Sequence, residues 1–383
     1  MNQEKNLDWI QLLRGVAAVL VVLTHARYLL LDTPSWPLVE QLLMPGALGV
    51  DLFFLISGFI MYYSTADSAG GPAEAARFLI KRFSRVWPAY AIATLASVYV
   101  AYGLDYFHVA ANRLAFWHTL GMLPADPRQA PYFGLSLVVG WTLEFEMYFY
   151  LIFAASMLFK RLRWLALVAW VVLTVLVLPY AERGFNLSVE GGPVYPVGYL
   201  SIVTNPFVLE FLGGVLIGWL YRQPWLRLPN RQLAWHVLAL GVTFALWAIY
   251  SRAVSTHGPS HYGWPLALMV LSMALASKTV QIRVPALCMW LGAISYSLYL
   301  THLITANMLQ HRLMAAGLEP LWHTWASILL TTVCSVAVAA LSHRYLEQGL
   351  SNRVRDGLLR LLPERAARPP APAAPAEQVA RRA

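Results

Sequence analysis

Charge is what this sequence has least of. Only 12% of its 383 residues are Asp, Glu, Lys or Arg, about half the share of an ordinary soluble domain. That scarcity, with 58% hydrophobic residues and a mean hydropathy of +0.55, excludes a water-soluble globular chain. Cysteine is nearly absent. Cys288 and Cys334 both fall inside apolar runs, which excludes a disulfide framework and offers no metal-ligand spacing. No internal repeat is visible. What the chain has instead is long apolar runs, fifteen Trp and nineteen Tyr. This is the composition of a polytopic membrane protein, whose amphipathic rings settle at the bilayer interfaces.

The net charge of +9 would raise the question of nucleic acid in a soluble protein. Here the basic residues sit at the ends of apolar runs, so they read as membrane topology and no nucleic-acid partner is expected. The first thirty residues contain Arg14 and lack a small-x-small cleavage site, so they read as a retained first span. Apolar length predicts an all-α fold of about ten transmembrane helices, at approximately 9–30, 46–64, 86–104, 138–159, 163–180, 201–221, 233–250, 262–277, 287–308 and 322–345. The aromatic stretch 105–137 is expected to hold a short interfacial or re-entrant piece. With the N-terminus inside, the inner segments hold Lys5, Arg77 to Arg85, Lys160 to Arg163, Arg222 to Arg231, Lys278, Arg283 and the residues from Arg344 onward. The outer loops hold only Arg113, Arg128, Arg183, Arg252 and Arg312. This positive-inside pattern predicts both termini in the cytoplasm. The expected organisation is a transmembrane domain, 1–347, and a basic, Ala/Pro-rich cytoplasmic tail, 348–383, disordered beyond Pro363.

A charge inside a span costs a few kcal/mol or more and so points to a function. Arg14 and His25 are eleven residues apart, about 20° around a helix and about 16 Å along it, so they share one face at different depths. Asp51, Glu144, Glu146 and His302 each fall near the outer end of their spans. With His25 they are expected to converge on one outer layer, suited to proton relay or acid–base work. Glu144 and Glu146 are two apart and face different ways, so at least one is expected to face the bundle. Lys81, Arg82 and Arg85 come just before the third span, and Arg82 and Arg85 share a face. They read both as topogenic charge and as a clamp for a phosphorylated ligand.

Five blocks in order then resemble one family. These are Arg14-x10-His25, the second-span block GVDLFFLISGFIM, KRFSRVWPAY with its Arg82-x-x-Arg85 pair, GWTLEFEMYFY with Trp141, Glu144, Glu146 and Tyr148, and ISYSLYLTH ending at His302. Together they resemble the acyltransferase-3 family over roughly residues 7 to 347. Thr142 stands where Ser is common in that family, and Phe145 where Val is frequent. The opening IQLLRGVAAVLVVLTH looks more like the exopolysaccharide and lipopolysaccharide acetyltransferases.

The resemblance implies an O-acyltransferase of the bacterial inner membrane. Its donor is acyl-CoA, usually acetyl-CoA, and no metal is called for. The acceptor is a carbohydrate or lipid-linked carbohydrate, or in some members a macrolide-like small molecule. Some relatives carry an extra hydrolase-like domain. The tail here is too short for one, so this chain is expected to act alone or with a separate extracytoplasmic partner. In the mechanism so implied, Arg82, Arg85 and Lys81 hold the nucleotide phosphates and the arm passes Arg14. His25 acts as general base, oriented by Asp51, Glu144 or Glu146. A covalent acyl-histidine is the alternative. His302, Trp141, Tyr148 and Tyr299 are candidates for binding the acceptor. The competing class is a proton-coupled transporter or flippase of a sugar or lipid, which buried His, Asp and Glu would also suit.

Overall fold

The computed structural model describes residues 7–362 other than 185, 191–194 and 196. Lys5, the Arg183 side chain and the tail from Pro363 lie outside the described residues. Every regular element among those described is helical, as expected where lipid leaves no partner for open backbone groups. The principal helices are α1 (Asp8–Ala26), α2 (Gly49–Thr65), α3 (Pro72–Tyr102), α4 (Trp141–Met157), α5 (Arg163–Val171), α6 (Phe207–Arg222), α7 (Arg231–Tyr250), α8 (Trp264–Ser277), α9 (Ala286–Ala315) and α10 (Trp325–Ser342).

Among the described residues, eight helical stretches are long and apolar enough to cross a membrane, and the chain is a multi-pass membrane protein. The expectation was about ten. At two of the expected spans, 201–221 and 262–277, a helix is present but shorter than those eight. The first is interrupted at Thr204–Pro206, leaving α6 at 16 residues. The second begins in a π-turn, Pro259–Gly263, with non-helical backbone at His261, leaving α8 at 14 residues. Proline and non-helical backbone end each helix early. The stretch 105–137 does contain a short helix, Ala110–Leu120. Trp87 Nε1 and the Tyr90 hydroxyl of α3 secure it, donating to Leu120 O and Thr119 O at 3.0 Å each. At the other end of the chain, helical backbone continues from α10 through a π-segment, His343–Ser351, to Arg360.

The helices differ in burial. In the stretches Trp36–Thr65 and Val138–Met157, 67% of the apolar window is inside the protein; in Lys160–Ala181 and Arg231–Tyr250 it is 22%. α2 and α4 are therefore central, while α5 and α7 present Leu165, Leu240 and Trp247 outward.

Small residues set the closest contacts, as they do where helices pack without a hydrophobic drive between them. Gly58 of α2 and Gly214 of α6 face each other's backbone: an added Cβ would collide with Phe211 O in one case and Leu55 O in the other. In α1 and α9, a Cβ on Gly15 would meet Gly292 N at 3.0 Å, and one on Gly292 would run into Gln11 O. This second contact sets the register of two candidate residues. Gly15 and Gly292 differ by 277 in sequence, and so do His25 and His302. Two helices that touch at the glycines and again ten residues later at the same offset run parallel and in register. The glycine contact thus brings the two histidines face to face.

Candidate active site

A partly open cavity lies between α1, α2, α3, α4 and α9. Arg14, Arg82 and Arg85 line it, with Glu146 the lining carboxylate. The Arg82 guanidinium lies 5.5 Å from the ring centre of Phe78 and 5.6 Å from that of Tyr150, a cation–π cradle that holds the charge without neutralising it. Glu146 accepts hydrogen bonds from Ser57 Oγ at 2.9 Å and from the Tyr150 hydroxyl. Lys81, expected with the arginines, is exposed and does not line the cavity.

The cavity reaches Thr142 and Tyr299. Their hydroxyls are 2.7 Å apart, and the Tyr299 hydroxyl also donates to Val139 O at 3.0 Å. Tyr299 has a second role through its backbone: its carbonyl accepts from His302 Nδ1 at 2.7 Å. One residue therefore lines the cavity and holds the histidine pair.

His25 and His302 lie 3.3 Å apart, His25 Nδ1 to His302 Nε2. The expected convergence of the two imidazoles is observed. Their partners fix the protons. Val21 O, 2.8 Å from His25 Nδ1, and Tyr299 O can only accept. Both Nδ1 atoms must then carry hydrogen. His302 Nε2 is left as an acceptor and shares the His25 Nδ1 proton with Val21 O. It follows that His25 Nε2 carries a lone pair and, among the described residues, has no partner.

The carboxylates depart from expectation. None of the three is a hydrogen-bond partner of His25. Asp51 is fully buried and pairs instead with His257, Oδ2 to Nδ1 at 2.6 Å, while its Oδ1 accepts from Gly258 N–H at 2.8 Å. Glu210, also buried, lies beside Asp51. Glu146 is in the cavity among the arginines and not in the histidine layer. Glu144 is buried with no hydrogen-bond partner among the described residues. The physical reason is helical: two residues rotate a side chain by about 200°, so one glutamate faces the cavity and the other faces away. The proposed acceptor residues also divide. Trp141 packs against Tyr132, Phe207 and His257. The Tyr148 hydroxyl instead accepts from Trp170 Nε1 at 2.9 Å, away from the cavity.

Sequence reasoning missed His257, Glu210 and Glu347. His257 sits in the irregular stretch STHGPS, outside any periodic pattern, 206 residues from Asp51. Glu347, in the π-segment after α10, accepts from Ser297 N–H at 3.1 Å and from Ser297 Oγ, and lies 3.3 Å from His343 Nδ1. The basic residues around it looked like simple topogenic charge.

The acyltransferase domain profile of the acyltransferase-3 family matches residues 7–343. The chain belongs to that family. It is 30% identical to the exopolysaccharide production protein ExoZ of Rhizobium meliloti (strain 1021), over 82% of this chain and 93% of that protein. It is 29% identical to nodulation protein 10 of Rhizobium leguminosarum bv. viciae, covering 88% and 91% respectively. The acyltransferase MdmB of Streptomyces mycarofaciens is 26% identical over 77% of this chain and 78% of its own. No solved structure matches.

Proposed function

We propose that this chain transfers an acyl group, acetyl in the first instance, from cytoplasmic acyl-CoA to a carbohydrate hydroxyl presented across the bacterial inner membrane. The observation that carries this reading is the free Nε2 of His25, one tyrosine beyond the end of an arginine-lined cavity. Arg82 and Arg85 receive the donor's phosphates, which planar guanidinium groups bind in bidentate fashion. The positive-inside pattern of the basic segments supports a cytoplasmic position for this end and for both chain termini. The acyl arm follows α1 past Arg14 towards Tyr299.

His25 Nε2 takes the proton of the acceptor hydroxyl as the oxygen attacks the thioester carbonyl. The tetrahedral species collapses, the C–S bond breaks, and the departing CoA thiolate takes up the proton that His25 received. An ester and free CoA thiol result, so atoms and charge balance. His302 is a positioning residue: its Nε2 holds the His25 ring and accepts part of the positive charge that forms there. A polysaccharide acceptor accords with the name of the exopolysaccharide relative.

The test compares O-acetyl esters on surface glycans of cells making wild type, His25→Ala or Arg14→Ala at equal membrane levels. Esters with wild type alone are the expected result. Equal ester content in all three would overturn the reading.

A further inference from the structure

Resting on the acyl-transfer reading, we propose that the acceptor sugar docks on a subsite at the histidine end built from Tyr132, Trp141, His257 and Tyr28. The ligand class is a neutral pyranose ring of a glycan.

Four observations carry this. First, Tyr132 is 45% exposed, and its ring stands edge-on to the buried Trp141 ring, centroids 5.3 Å apart. That contact holds in place a half-exposed aromatic ring, the kind of surface on which the apolar side of a sugar ring stacks. Second, Trp141 continues the contact inward to His257 at 6.0 Å. His257 spends its Nδ1 on the fully buried Asp51 at 2.6 Å. Nε2, across the ring, has no partner among the described residues and is available to a hydroxyl. A buried carboxylate dedicated to one imidazole is a positioning device, and no step assigned above uses this one. His257 is also an electrostatic neighbour of His25, so a sugar held here lies close to the base.

Third, Tyr28 stands one helical turn beyond His25 and is held rigid. Arg27 lies over its ring at 4.2 Å and donates to its hydroxyl at 3.0 Å, and Trp36 stacks on it at 6.0 Å. Glu190, Tyr28 and Asp51 are each electrostatic neighbours of Tyr132. Fourth, the flanking cations are already matched: Arg27 with Glu40 at 2.6 Å and Arg128 with Asp126 at 2.9 Å. Rings, matched cations and the neighbouring Glu190 carboxylate select a neutral polyol over an anion; the cavity with its three arginines has the opposite character.

The probe is the host's own surface polysaccharide, stripped of esters by mild alkali, with radiolabelled acetyl-CoA and protein in nanodiscs. Tyr132→Ala and His257→Gln should each raise the acceptor KM about tenfold, with the acetyl-CoA KM unchanged. Tyr132→Phe should stay within about twofold of wild type, because the ring is retained. An unchanged acceptor KM in both Tyr132→Ala and His257→Gln would overturn the subsite while leaving acyl transfer standing. So would an equal rise in the acetyl-CoA KM, which would mean general distortion. Failure of wild type to transfer label at all would overturn the acyl-transfer reading, and the subsite with it.

Discussion

The two ends of this protein treat charge in opposite ways. In the cavity, Arg14, Arg82 and Arg85 share a single lining carboxylate, Glu146. At the histidine end, the cations are matched by carboxylates: Arg27 with Glu40, and His257 with Asp51, each at 2.6 Å, with Glu210 beside Asp51. Excess cation over an open cavity attracts and holds an anion. Matched cations attract none, but the pairing fixes side chains in place around a neutral molecule. On the proposed function, the contrast separates a donor end from an acceptor end, with Tyr299 between them.

The largest expected effect tests the junction of the two ends. His25→Ala should lower acyl transfer about 100-fold to 10,000-fold, the usual contribution of a positioned base, read as CoA thiol released per protein. Next comes the donor end. Arg82→Ala should raise the acetyl-CoA KM about tenfold to a hundredfold, the range of a lost charge-assisted hydrogen bond, and leave the acceptor KM alone. Arg82→Lys should restore only part of it, since an ammonium has no bidentate fork. Equal shifts in both KM values would erase the distinction between the ends.

The helix contact that aligns them is third. Gly292→Ala forces a Cβ into the Gln11 backbone, which cannot swing aside. It should cost about 1–3 kcal/mol of stability by overpacking and reduce transfer by parting His25 from His302. A normal melting temperature with normal transfer would show that the glycine contact is dispensable.

The smallest effect is a pH dependence at the acceptor end. Burial works against the His257 cation, but the Asp51 charge and hydrogen bond outweigh it, and the net pKa is raised from 6.5. The pair's stabilisation is then complete below the ordinary imidazole value and is lost as pH rises through the raised folded value. Asp51→Asn should remove that component from a plot of melting temperature against pH. An identical profile would assign the dependence to another group.

Much of this was legible in the sequence. The shared face of Arg14 and His25 follows from helix geometry alone. The meeting of His25 with His302 followed from equal depth in two spans, and Arg82 and Arg85 from their spacing. Three things were not legible. The pairing of Asp51 with His257 joins a helix to an irregular loop, and no periodicity connects them. The depth of Glu146 depends on where α4 begins, which apolar length sets only within several residues. The register of α1 against α9 lay in the common offset of Gly15–Gly292 and His25–His302, which acquires meaning only once the two helices are known to touch. The lengths of α6 and α8 were overestimated for a related reason: Pro206 and the irregular backbone at His261 interrupt helices within runs that apolar length alone reads as continuous.

The most direct test of the account is to load nanodisc-held His25→Ala with acetyl-CoA and follow both donor binding and thiol release on adding de-esterified surface polysaccharide. The account predicts binding equal to wild type through the arginine-lined cavity, and no acceptor-dependent thiol release. Thiol release at the wild-type rate would contradict it, because the proton would then leave the acceptor without His25.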